Sequence, residues 1–141
     1  MDILWVLFSA LLVFTMQAGF LCLESGLVRS KNSIHVAAKN ISDFIVSSAI
    51  FWMVGYGLMF GDGLMGLVGA DHFFFGSGQD ASGLTFFILQ MMFCGTAATL
   101  VSGAIAERTH YKAYIAITIT ISLFIYPITG HWSWASISSN G

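Results

Sequence analysis

Long apolar runs without a single charged residue recur along this chain. Ile3–Leu23, Phe44–Phe60, Leu84–Ala106 and Ala113–Gly130 contain no Asp, Glu, Lys or Arg. Each approaches or reaches the roughly 17–25 residues that a helix needs to cross hydrocarbon. Each is too long for an ordinary strand, and no turn signals interrupt at hairpin spacing. A helix also satisfies its own backbone polar groups in lipid, which an isolated extended run does not. The pattern therefore predicts an all-α fold, a polytopic transmembrane helix bundle with spans at about 3–25, 36–60, 84–106 and 112–130. The second span is extended backwards from its apolar run through the helix-friendly "HVAAKNIS", and the fourth contains Pro127.

Charge gives the runs a direction. All five basic residues, Arg29, Lys31, Lys39, Arg108 and Lys112, fall in or beside the first and third connections. The second connection, residues 61–83, holds Asp62, Asp71 and Asp80 and no Lys or Arg. By the positive-inside rule the first and third connections are cytoplasmic and the N-terminus lies outside. The second connection is Gly-rich yet too apolar for a linker, so it is expected to fold against the outer face. The closing "WASISSNG" has the composition of a loop.

Composition makes the membrane reading firm. Of 141 residues, 57% are hydrophobic and 9% charged, with mean hydropathy +0.83. A soluble domain carries about 25% charged residues. The N-terminal "MDILWVLFSALLVF" lacks a basic n-region and a small-residue cleavage site, so it reads as a first span rather than a signal peptide. Cys22 and Cys94 sit in separate apolar runs and make no disulfide framework. Both are expected to be small packing residues.

Small residues recur at four-residue spacing in two spans: Gly95, Thr99 and Gly103 in the third, Ala18, Cys22 and Gly26 around the end of the first. Such stripes let helix backbones approach closely where lipid provides no hydrophobic drive for association. The carboxylates Glu24, Asp43 and Glu107 lie toward the cytoplasmic ends of their spans. An ionisable group at mid-bilayer would be a functional candidate, whereas these are expected to be solvated or paired with Arg29, Lys39 or Arg108. His35 and His110 map to the cytoplasmic side and His72 and His131 to the outer side. None falls in mid-span, so these helices offer no facing pair for a haem or a proton relay. No H-E-x-x-H, G-x-S-x-G or P-loop is present. The chain is not expected to be an enzyme or to carry a cofactor or metal, and no nucleic-acid partner is expected.

Aromatics are the remaining signal. "GHWSW", Gly130–Trp134, falls at the outer end of the fourth span. It reads either as an interfacial aromatic belt or as a cation site, because an indole face attracts a partly desolvated cation by up to about 2 kcal/mol. Phe93 stands some nine residues inside the third span, about 14 Å deep at 1.5 Å per residue, ahead of a run of small residues. It reads as filler or as a cap on a narrow path.

Four ordered stretches resemble the ammonium transporter family (Amt/Mep/Rh). They are "MQAGFLCLESGLVRSKN" (Met16–Asn32), "FWMVGYGLMFG" (Phe51–Gly61), "FCGTAATLVSGAIAER" (Phe93–Arg108) and "YPITGHWSW" (Tyr126–Trp134). The resemblance implies a homotrimer of about eleven helices per subunit in the plasma membrane, each subunit with its own pathway for ammonium or ammonia, and methylammonium as an analogue. It implies that Trp134 lies at an outer recruitment site, that Phe93 is the aromatic gate below it, and that Gln90 is a polar position one turn above the gate. His131 matches a position beside the recruitment Trp, and the family's paired pore histidines come from later helices without counterpart here. Many members carry a second aromatic four residues before the gate, where this chain has Leu89. Other members sense ammonium and signal through a fused domain, and some transporters bind a PII-type regulator. Transport, sensing and a membrane redox or structural subunit are the readings left open.

Overall fold

The computed structural model describes residues 2–61, 63–64, 68–69, 73–75, 80–105 and 108–138. Four long apolar helices dominate it. The first span is Ile3–Leu27. Asp2 caps it, accepting the Leu4 N–H on Oδ1 at 3.2 Å, which satisfies one of the donors every helix leaves open at its start. A 3₁₀ turn, Ser30–Asn32, leads into the second span. That span comprises Ser33–Ile50, a wide π-helical turn Phe51–Gly55, and Tyr56–Phe60. The third span is Ala81–Ile105. The fourth repeats the design of the second: Tyr111–Thr120, a π-helical turn Ile121–Ile125, then Tyr126–Ser138. Between the second and third spans, Gly63–Leu64 pairs antiparallel with Val68–Gly69.

The third span is the centre of the packing, lying against the first and second, while the second lies against the fourth. Its small-residue stripe explains the close approach. A Cβ on Gly95 would sit 2.9 Å from Phe44 Cδ2, and one on Gly103 would sit 3.1 Å from Glu24 Oε1. The corresponding stripe of the first span behaves differently. Ala18, Cys22 and Gly26 are all exposed, so Cys22 is not the packing residue expected of it, while Cys94 is buried. The first span buries the stripe Val6, Ala10, Gln17 and Glu24 instead.

The two wide turns face each other. A Cβ on Gly55 would meet Phe51 Cδ2 at 2.7 Å and the Ser122 carbonyl oxygen at 3.2 Å. In the fourth span the turn precedes Pro127, which is fully buried and brings no N–H to a helical ladder. In the second span, a carbonyl inside the wide turn finds its partner outside the helix. Met53 O accepts the Phe74 N–H at 3.1 Å, and Trp52 Nε1 donates to Phe75 O at 2.7 Å. Phe74 takes φ = 55° to do this, a left-handed conformation uncommon outside glycine. Phe74 and Phe75 of the connection are thus pinned along the second span.

Two further expectations need correction. The fourth span does not end near Gly130 but continues as helix to Ser138. Thr129 and Ser133 donate their hydroxyls to carbonyls one turn back, and Gly130 is pressed on Met59, where a Cβ would be 2.5 Å from Cε. Loop-like composition therefore does not break the helix. Glu24 and Asp43 are not solvated near an interface; they are buried, 6% and 0% exposed, and among the described residues neither is ion-paired. Glu107, Asp62, Asp71 and His72 lie outside the described residues.

Candidate functional site

At the end of the bundle away from Arg29, Lys31, Arg108 and Lys112, aromatic rings form a continuous cluster. The Phe75 and Phe87 rings stack at 4.6 Å, and Tyr56 abuts them at 4.4 and 5.2 Å. Phe51 joins Phe87 at 6.0 Å and Tyr126 at 5.9 Å. Trp134, half-buried, packs against this cluster and meets Phe86 edge to face at 6.3 Å. One turn along the third span from Phe86 comes Gln90, 0% exposed. Its Oε1 accepts the Tyr126 hydroxyl at 3.2 Å, while its Nε2 has no hydrogen-bond partner among the described residues. Phe93 follows about one turn further in and is half-buried, as is Leu89. Among the described residues no other ring contacts Phe93.

The arrangement is a column of three tiers. Phe86 and Trp134 form the first tier, Gln90 and Tyr126 the second, and Phe93 the third, about 10 Å along the helix from Phe86 by helical rise. The structure brings Gln90 and Phe93 onto neighbouring turns of one helix. Trp134 meets the column at the Phe86 ring. His131 is buried near Trp134, with Nδ1 2.8 Å from Met59 O. A carbonyl oxygen only accepts, so that nitrogen carries the hydrogen, and the imidazole serves to tie the fourth span to the second. Phe86 and Tyr126 do not stand out in the sequence. The signal for Phe86 was available: it precedes Gln90 by four residues, the spacing that stacks side chains on one helix face.

At the opposite end, polar side chains from all four spans converge. Asp43 accepts hydrogen bonds from Thr118, on Oδ1, and from Thr99 at 3.4 Å on Oδ2. Gln17 Nε2 donates to Thr99 Oγ1 at 2.5 Å. Glu24 Oε2 accepts from Asn40 Nδ2 at 2.9 Å and from Ser102 Oγ at 3.3 Å. Tyr114 donates its hydroxyl to Ser102 Oγ at 2.9 Å. The polar groups of the third span thus hold the bundle together where lipid gives apolar residues no reason to prefer one another.

Four apolar helices bonded through interior polar groups, with an aromatic column at one end, define part of a polytopic α-helical membrane protein. A sequence profile of the Ammonium Transporter Family matches residues 4–140. The chain belongs to that family. It is 49% identical over 98% of its length to a Synechocystis sp. protein provisionally named ammonium transporter sll0537, covering 26% of that protein. It is 42% identical over 94% of its length to the ammonium transporter Amt2 of Archaeoglobus fulgidus, covering 29% of it. Among solved structures it superposes on one called "Sensor Amt Protein" with TM-score 0.90 and 45% identity, covering 96% of this chain and 34% of that one. The chain thus spans about a quarter to a third of the length of the proteins it matches.

Proposed function

We propose that this chain forms the mouth of a membrane protein that carries ammonium or ammonia across the plasma membrane, with the N-terminus outside and three subunits assembled as a homotrimer. The observation that carries this reading is the tiered column at the end away from the basic residues, in a chain of the ammonium transporter family. A bare cation loses its hydration on entering an apolar path, and an unpaired charge there costs far more than a neutral molecule. Trp134 concentrates the cation at the mouth through the face of its indole, at up to about 2 kcal/mol. Below it, the free Nε2–H of Gln90 is a donor. That suits the lone pair of ammonia and not ammonium, which has donors only. Phe93 then gates passage, and hydrated sodium is rejected at this constriction.

Trp134→Leu in the full-length protein tests the reading. Methylammonium uptake is expected to fall at low substrate concentration and recover at high concentration, since the indole raises occupancy rather than performing the passage. Wild-type uptake at every concentration would overturn the assignment.

A second reading, an ammonium sensor on the same scaffold, draws on the likeness to the protein called "Sensor Amt Protein" and on Leu89 where many members place an aromatic. Solid-supported-membrane recordings separate the two. A transporter gives sustained ammonium-dependent current, and a sensor gives none but changes the output of a signalling domain. Regulation by a PII-type protein at the basic end belongs with the first reading.

A further inference from the structure

The polar junction at the basic end is independent of the proposed ammonium route, and its acceptors outnumber its donors. Glu24 and Asp43 are 6% and 0% exposed, and among the described residues no Lys, Arg or His lies within ion-pair distance of either. An isolated buried carboxylate is strongly unfavourable in a low-dielectric interior. The Lys39 ammonium is spent elsewhere: it donates to Thr109 O at 3.0 Å and stands 5.6 Å from the centre of the Tyr114 ring. Among the described residues, the other titratable groups facing the pair, the Tyr114 phenol from the fourth span and the Cys94 thiol from the third, bring no positive charge.

The second observation concerns the amides. Asn40 is 2% exposed; its Nδ2 is on Glu24, and its Oδ1 has no hydrogen-bond partner. Gln17, on the Asp43 branch, likewise leaves Oε1 without a donor. Two carboxylates beside two orphaned carbonyl oxygens call for a hydrogen that no described residue supplies. The available ligands narrow the candidates. The orphaned oxygens are sealed from solvent, with cavities of about 190 Å³ beside Gln17 and Asn40 and about 210 Å³ beside Glu24 and Gly103. No third His, Cys, Asp or Glu completes a metal-binding group among the described residues. The cation that binds through a single carboxylate oxygen, with no further ligands, is the proton.

We propose that Glu24 and Asp43 form an intramembrane proton-binding site that holds one proton between them. The proton comes from water at the basic end. It adds to one carboxylate oxygen without breaking any covalent bond and lowers the charge of the pair from −2 to −1. On Glu24, the new O–H is received by Asn40 after its amide turns over, so that Oδ1 accepts where Nδ2 donated. The Tyr114–Ser102 hydroxyl chain leads to Glu24 and gives the proton a path of hydrogen bonds.

Infrared difference spectroscopy on the full-length protein in lipid nanodiscs tests this, with choline as the only alkali substitute. The wild type is expected to show the carbonyl band of a protonated carboxyl at neutral pH, lost on titration to alkaline pH. Glu24→Gln and Asp43→Asn each abolish it or shift its midpoint by at least one pH unit, while Trp134→Leu leaves it unchanged. If either acid variant fails to fold, Tyr114→Phe keeps both acids and is expected to shift the band. Absence of the band in the wild type overturns the proposal without any variant. Its removal by sodium at constant pH also overturns it, by making an alkali cation the counter-charge, as does a band identical in both acid variants.

Discussion

Gln90 and Tyr126 show how much a single hydrogen bond decides in the column. The amide is wholly enclosed and held on one side only. Tyr126→Phe removes the donor and leaves Oε1 buried without a partner. It is expected to cost about 1–3 kcal/mol, read as a lowered melting temperature of the full-length protein in detergent. Gly95 makes a complementary case. With Phe44 2.9 Å from where its Cβ would be, Gly95→Leu is expected to destabilise by about 1–3 kcal/mol through overpacking, whereas Ala104→Leu on an exposed face of the same span is close to neutral. The stripe containing Gly95 was legible as a close-packing motif. The depth of Asp43 was not, although it lies ten residues into its helix, about 15 Å by rise. Charge position along a run says how far a carboxylate is from the end of the apolar stretch and nothing of the helix that covers it.

For whole helices, the number and order of the spans follow from run length alone, and the inward faces do not. Lipid is as apolar as any protein core, so the apolar residues of a span carry no information on which way they point. Leu4, Trp5, Leu11 and Leu12 face outward from the first span while Gln17 and Glu24 face in. Polar residues are the better guide, the reverse of a soluble helix. Their partners, Thr99, Ser102 and Thr118, are scattered through other spans. Only contact in three dimensions assembles them. The wide turns were equally invisible. Pro127 announces one of them, but the turn in the second span has no proline and rests on Gly55 against Ser122. Gly55→Val is expected to force these turns apart and lower stability by about 1–3 kcal/mol, measurable as a lowered thermal midpoint of the full-length protein.

The molecule as a whole is polarised, with basic side chains and buried acids at one end and aromatic rings at the other. The proposed orientation follows from that asymmetry and is open to a labelling test. Lys31→Cys is expected to react with an impermeant thiol reagent only after the membrane is opened, and Asp80→Cys, at an exposed position, from outside in intact cells, both in a Cys22→Ser, Cys94→Ala background. The reverse pattern would invert the protein and move the aromatic column to the cytoplasm.

The wide turn of the second span also sets the angular phase of that whole end. The buried positions Ser47, Phe51, Gly55 and Met59 recur every four residues, and a regular helix of 3.6 residues per turn drifts by about 40° at each such step. Three steps accumulate about 120°, enough to turn Met59 away from Gly130. One extra residue in the turn takes back about 100° of that drift. It therefore works as a phase corrector, letting a four-residue repeat run along one straight seam. Deleting a single residue from Phe51–Gly55 would then leave the polar junction where it is and rotate Tyr56, Met59 and Phe60 out of register with the fourth span. In such a variant the two ends of one helix would belong to two different alignments of the bundle.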